Sequence, residues 1–448
     1  MSSNIWSRSR TIENLLLNRI NGLRWMYYDI DLNEEVKLGN DNRPILLSGE
    51  EVVELFKHIE IGVFGNDSYT GKASNSKPIN VFKILATILK QNPKLIKNAT
   101  KRIFDVNEIS NKSTATQGLL GVFNDKDRVF RNKKFKKKIR DGFRKNPDSV
   151  VILAEGDSWF QFPRVYLGID PVKDIIDWLG EEEWYAIYSL AAAGDWFSNV
   201  IHSGEYIEEL PKVSPDVFLI SGGGNDLLGD NRLGSMVIYP GQQQLRNNSD
   251  PLFQALTDKR AGKDHIDLEK YKIGLAYISD EFFEFMNVFF VQLFVFFSNL
   301  ANIDQYKNMA MITQGYDFVL PYNGSRANAT IVQRVINEFV DTGTWLYEPL
   351  NMKGICDSTT QEAIMYTMIT EFNEMMISLA TFQGFPNLYH IDCRGVARNE
   401  DDWFDEIHLK AEAFATVAKA YKHTIECHIK RNGSVAKKII QAKSFWVR

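Results

Sequence analysis

Residues 150 to 160 read V-V-I-L-A-E-G-D-S-W-F. Five apolar or small residues run without a polar interruption and then break at Glu155-Gly156-Asp157-Ser158. That is the pattern of a buried parallel strand ending in a tight turn. The turn places Ser158 at the mouth of the strand. In open α/β sheets ligands bind in the crevice outside the carboxyl ends of the strands, so a hydroxyl delivered there is a candidate nucleophile. A plain turn serine is the alternative reading.

From Val150 onward, apolar strand-like runs alternate with helical or irregular segments. Five strands are expected at about Val150 to Ala154, Tyr185 to Leu190, Val217 to Ser221, Met309 to Thr313 and Leu388 to Asp392. This alternation predicts an α/β fold, a three-layer α/β/α arrangement around a five-stranded parallel sheet.

The chain has 448 residues, long enough for two or three domains. A division is expected near residue 148, with a mostly helical region before it and an α/β domain over 149–448. In the first region Ser48-Gly49-Glu50-Glu51 fits a capping box ahead of the amphipathic run Val52, Val53, Leu55, Phe56 and Ile59, and a second helical pattern spans Ile79 to Phe104. Between them, Gly65 to Ala73 reads G-N-D-S-Y-T-G-K-A, superficially like a phosphate-binding loop. Its spacing is one residue too long, and Ala73 stands where a hydroxyl must reach the magnesium ion, so the match is rejected.

Composition excludes several classes. With 44% hydrophobic residues, 24% charged residues and a net charge of -5, the chain is an ordinary globular one, with no sign of specific nucleic-acid binding. Three cysteines without a CxxC pair give neither a disulfide framework nor a cysteine-rich zinc site. His423 and His428 lie five apart, off the metal-binding helical spacing, while His202, His265 and His390 stand alone, so no metal or other cofactor is expected. The N-terminus lacks a continuous apolar h-region, which predicts a cytoplasmic starting location. Phe285 to Ile303 is nineteen residues without a charge but is interrupted by Asn287, Gln292, Ser298, Asn299 and Asn302. A buried helix is its plainer reading, and a lipid-facing helix or lid is the alternative.

Lys126 to Lys145 carries eleven Lys or Arg against Asp127 and Asp141, a local charge of 11 - 2 = +9. Phe135, Ile139 and Phe143 recur every four residues within it, as in a basic amphipathic helix. The exposed side of such a helix suits an anionic surface or partner, which would make the protein peripheral to a membrane. Packing on the protein's own acidic surface is the alternative.

The segments just beyond the strands narrow the function. The second strand is followed by Ala191-Ala192-Ala193-Gly194-Asp195 and the third by Ser221-Gly222-Gly223-Gly224-Asn225-Asp226. Trp403-Phe404-Asp405-Glu406-Ile407-His408 stands just before a C-terminal helical pattern. A serine, a glycine amide, an asparagine amide and an Asp-x-x-His are thus brought to one end of the sheet. In these four blocks the chain resembles the SGNH hydrolase superfamily, the GDSL-type esterases and lipases. The blocks are Gly156-Asp157-Ser158, Gly194, Gly223-Gly224-Asn225-Asp226 and Asp405 with His408. The resemblance covers about residues 149 to 430. It departs from the family at Trp159, where Leu is usual, at Leu409, where Pro commonly follows the histidine, and at Ala413, in place of a later Gly.

The resemblance implies a flavodoxin-like sheet and a Ser158-His408-Asp405 triad, with Ser158 and Gly194 backbone amides and the Asn225 side chain as the oxyanion hole. Asp157 and Asp226 are expected to brace their loops as supporting residues, and Gln314 to Asp317 to line the crevice. Two long insertions, about 227–308 and 318–386, lie on the strand mouths and could cap Ser158. The Phe-rich stretch in the first and the basic segment favour a lipid or acyl ester as substrate. A carbohydrate O-deacetylase of the same superfamily is one alternative, and a non-catalytic partner-binding module on a hydrolase scaffold is another.

Overall fold

The computed structural model describes residues 119–162, 172–197, 200, 204–228, 232–321, 345–429 and 437–446. The helices expected at 52–59 and 79–104, the loop at 62–78 and His202 lie outside these residues.

The described chain opens with helix α1 (Leu119–Arg140) and enters strand β1 (Val150–Glu155). There follow α2 (Ile175–Gly180), β2 (Tyr185–Ser189), α3 (Glu205–Val213), β3 (Val217–Ile220) and α4 (Gly224–Leu228). Next come α5 (Leu233–Met236), α6 (Pro251–Arg260), α7 (Leu268–Tyr277), α8 (Asp280–Ala301) and β4 (Ala310–Gln314). The remainder is α9 (Tyr347–Met352), α10 (Ser358–Thr381), β5 (Leu388–Asp392), α11 (Ala411–Ile429) and β6 (Ile439–Gln441).

All five expected strands form, and β6 adds a sixth of three residues at the edge. The order is β2-β1-β3-β4-β5-β6, and every pairing is parallel. Every residue of β1, β3, β4 and β5 is buried, as uninterrupted apolar runs require when helices cover both faces. The chain steps from β1 outward to β2, then crosses back to β3 on the other side of β1. That reversal is the switch point at which an open sheet offers its ligand crevice.

On one face, Phe218 of β3 packs with Phe296 of α8 and Tyr206 of α3, and α8 in turn meets α10 through Phe289 and Phe372. The Phe-rich stretch is therefore core. Phe282, Phe283, Phe289, Phe290, Phe294, Phe296 and Phe297 are all buried, and among the described residues no helix is long and apolar enough to cross a membrane. The other face carries α2 and α11, with Tyr421 against Phe160. Both expected insertions thus supply buried crossover helices to the sheet.

Helix α1 closes the outer edge of β2. The Asn132 side chain pairs with the Ser189 backbone in both directions, donating to its carbonyl at 2.9 Å and accepting from its N–H at 2.8 Å. Lys138 donates to the Tyr185 carbonyl at 2.6 Å. These contacts occupy the outward-facing groups at both ends of the β2 edge strand, Tyr185 and Ser189. Arg131 and Phe135 turn inward, with Arg131 ion-paired to Asp174 and Asp177, while Lys126, Lys133, Lys134, Lys136, Lys137 and Arg140 face outward.

Candidate active site

The turn that carries Ser158 is set by a glycine and an aspartate. A Cβ on Gly156 would lie 2.6 Å from the Ser221 carbonyl oxygen, so the chain leaves β1 against the end of β3 only with glycine there. Asp157 then folds back, with one carboxylate oxygen accepting from the Ser221 hydroxyl at 2.8 Å and from the Trp159 N–H at 3.1 Å. Its other oxygen accepts from the Tyr316 hydroxyl. Burial pushes the Asp157 carboxyl upward, and these donors oppose it. Ser158, next along, is held nearly buried at the strand mouth.

Asp405 and His408 sit on one tight turn, closed by the Phe404 N–H donating to the His408 carbonyl at 2.8 Å. One Asp405 oxygen accepts from the Ile407 and His408 amides at 2.9 and 2.7 Å, and the other lies 2.7 Å from His408 Nδ1. His408 Nε2 lies 2.7 Å from Ser158 Oγ. A carboxylate can only accept, so Nδ1 carries the proton and Nε2 is left to accept from the serine hydroxyl. The rings of Phe162 and Trp345 meet the imidazole edge-on and flank it with apolar surface.

Trp159 joins two turns of the candidate site. Its indole N–H donates to the Ile407 carbonyl at 3.2 Å, tying the serine turn to the histidine turn, and its ring lies edge-on between Tyr316 and Phe414. Glu406, fully buried, accepts from the amides of Leu346 and Tyr347 and fixes the histidine turn from behind. Neither role could be found from local pattern, because both partners are distant in the chain.

The glycine blocks converge on the same place. Gly194 has φ +77°, in the left-handed region, and its turn is anchored by the Ala192 N–H donating to the Gly156 carbonyl at 2.8 Å. Asn225 Nδ2 donates to the Asp195 carbonyl at 2.9 Å, which leaves its second hydrogen uncommitted by that bond. Asp226 accepts from the Phe197 amide at 2.6 Å, bracing the asparagine loop. Gly223 has φ +105°, and a Cβ there would strike Phe289 and Phe372 at 2.7 Å.

A small cavity lies beside Ser158, with about 20 Å³ open to the centres of water-sized groups. Asp157, Ser158, Gly224, Asn225 and Tyr316 line its polar side, and Trp159, Gly223, Leu227, Leu228, Val319, Ile369, Phe372 and Ile407 the rest. Gly194 is not among the lining residues, while the next residue, Asp195, holds Asn225 through its carbonyl. Among the described residues no group of three or more His, Cys, Asp or Glu is arranged to hold a metal ion.

No family model and no curated protein matches the chain. A crystal structure from Parabacteroides merdae, described provisionally as a GDSL-like lipase, overlaps 51% of this chain and 96% of its own, at 12% identity and a TM-score of 0.21. So slight an overlap supports nothing further, and the functional reading rests on the site's own geometry.

Proposed function

We propose that this chain hydrolyses carboxylic esters with Ser158 as nucleophile, His408 as general base and acid, and Asp405 as the group that orients the imidazole. The observation that carries the reading is the unbroken line from Ser158 Oγ to His408 Nε2 at 2.7 Å and from His408 Nδ1 to Asp405 at 2.7 Å. Ser158 Oγ attacks the ester carbonyl carbon as its proton passes to Nε2. The Nδ1 proton stays on the ring, where the Asp405 carboxylate stabilises the imidazolium. The carbonyl oxygen, now negative, is received by the Ser158 amide and the second Nδ2 hydrogen of Asn225, with the Gly194 amide the third donor that the SGNH resemblance implies. Collapse expels the alcohol, which takes the proton from Nε2. Water, deprotonated in its turn by His408, then releases the carboxylic acid from the acyl-serine.

The cavity favours a short acyl group. Its lining is mostly apolar and its free space is that of a water-sized group or two, so a small acyl group enters with the least movement of the lining. The Phe-rich stretch that suggested a lipid is occupied with packing α8 into the core. The test is a panel of p-nitrophenyl esters from two to eight acyl carbons. We expect the shortest esters to be turned over fastest, with Ser158→Ala lowering kcat/KM by about 10⁴-fold or more. Preference for the longer esters would overturn the short-acyl assignment, and activity surviving in Ser158→Ala would overturn the nucleophile.

A further inference from the structure

Tyr316 stands one residue beyond Gly315, where the chain leaves β4, and its buried hydroxyl touches two catalytic loops at once. It donates to the Asp157 carboxylate, on the turn that carries Ser158. It accepts from the Gly224 N–H at 3.0 Å, on the loop that carries Asn225. The direction is forced, because an amide N–H can only donate and the single hydroxyl proton then goes to the carboxylate. Burial, and after it the neighbouring Asp157 carboxylate, holds the Tyr316 hydroxyl well above the ordinary tyrosine range, so the proton stays in place.

The ring is fixed as firmly as the hydroxyl. It meets Trp159 edge-on with centroids 5.2 Å apart and lies 5.4 Å from Phe372. A Cβ on Gly224 would come within 2.9 Å of the ring, so the glycine lets the asparagine loop approach the tyrosine closely enough to bond. Below it, Gln314 donates to the Ser221 hydroxyl at 3.1 Å and Ser221 to Asp157 at 2.8 Å, which completes a hydrogen-bonded floor joining β1, β3 and β4.

Resting on the triad reading above, we propose that Tyr316 is a positioning residue. Its hydroxyl sets the distance between the nucleophile turn and the Gly223-Gly224-Asn225 loop, and so aims the Asn225 amide at the oxyanion formed on attack by Ser158. The effect belongs to the transition state, since the oxyanion donor is fully used only once negative charge has developed.

The variant is Tyr316→Phe, which removes one oxygen and keeps the ring contacts. Rates per active site, counted by fluorophosphonate titration, should show kcat lower by about 10-fold to 100-fold, with KM within about twofold of wild type. Because the hydroxyl acts through Asn225, Tyr316→Phe added to Asn225→Ala should cost little beyond Asn225→Ala alone. A second readout needs no activity. Amide exchange at Gly224 should quicken at least about 10-fold in Tyr316→Phe, while the Leu227 amide, which donates to the Gly223 carbonyl at 3.0 Å, stays protected. Unchanged kcat per site, full additivity with Asn225→Ala, or unaltered Gly224 exchange would each overturn the proposal. Failure of the triad reading looks different: wild type itself is then neither active nor labelled, while Gly224 exchange still reports whether the hydroxyl holds the loop.

Discussion

At the scale of single residues, His390 shows how burial sets a titration. It is fully buried on β5, with Nδ1 3.0 Å from the Thr313 hydroxyl and Nε2 without a hydrogen-bond partner. Burial lowers its pKa to about 4; Asp392 and Glu374 pull it up and Arg394 pushes it further down. The unfolded chain takes up that proton near 6.5, so the histidine's contribution to stability is complete above about pH 6.5 and is lost as pH falls toward 4. Asp317 acts with the opposite sign. Burial raises it to about 6 against three backbone N–H donors, so the folded chain keeps a proton the unfolded one releases, and stability falls as pH rises through 6. The two partly cancel in wild type, and a variant separates them. Between pH 7 and pH 4, wild type should lose about 3 kcal/mol relative to His390→Asn, measured by urea unfolding at each pH. Parallel pH dependence in the two proteins would show that the imidazole is protonated as readily folded as unfolded.

At the scale of elements, α1 belongs with the sheet it covers. The run of Phe135, Ile139 and Phe143 was legible as an amphipathic face, and Phe135 does pack inward, edge-on to Tyr188. The two polar residues that secure the helix were not legible. Arg131 and Asn132 look like part of a solvated basic run, yet both are buried, and their partners Asp174 and Asp177 at the start of α2 and Ser189 on β2 are more than forty residues away. Asn132→Ala would leave the Ser189 N–H and carbonyl unpaired. Each such buried group costs about 1 to 3 kcal/mol, so the variant should be destabilised by about 2 to 6 kcal/mol in denaturant unfolding. A change below about 0.5 kcal/mol would mean that water replaces the asparagine and that the edge is not sealed. The same limit explains α10. Its residues were read only as part of an insertion, and nothing local shows that Glu371 receives a bidentate bond from buried Arg260, or that Glu374 and Asp392 share Arg394.

At the scale of the whole molecule, the doubly wound sheet explains why so much of the site could be read from the chain. Strands buried on both faces announce themselves as uninterrupted apolar runs, and the turns at their carboxyl ends must lie together at the switch point. Ser158, Asn225 and the Asp405-His408 turn were therefore legible as one constellation, and the geometry brings them within hydrogen-bonding reach or around one cavity. Strand β6 was not legible, because three residues at an edge carry no period. Nor were the cross-links of the site, Tyr316 to Asp157, Trp159 to Ile407 and Glu406 to the start of α9, since a single sequence shows periodicity but no pairing between distant segments. The Phe-rich α8 was legible as a helix but ambiguous in its surroundings, and only the packing of Phe289 and Phe296 between sheet and α10 assigns it to the core. The central claim is that this architecture activates one serine, and intact-mass detection of fluorophosphonate labelling tests it most directly, on wild type and Ser158→Ala side by side. A single adduct on wild type and none on the variant is the predicted result. Equal labelling of both proteins, or none on correctly folded wild type, would contradict it.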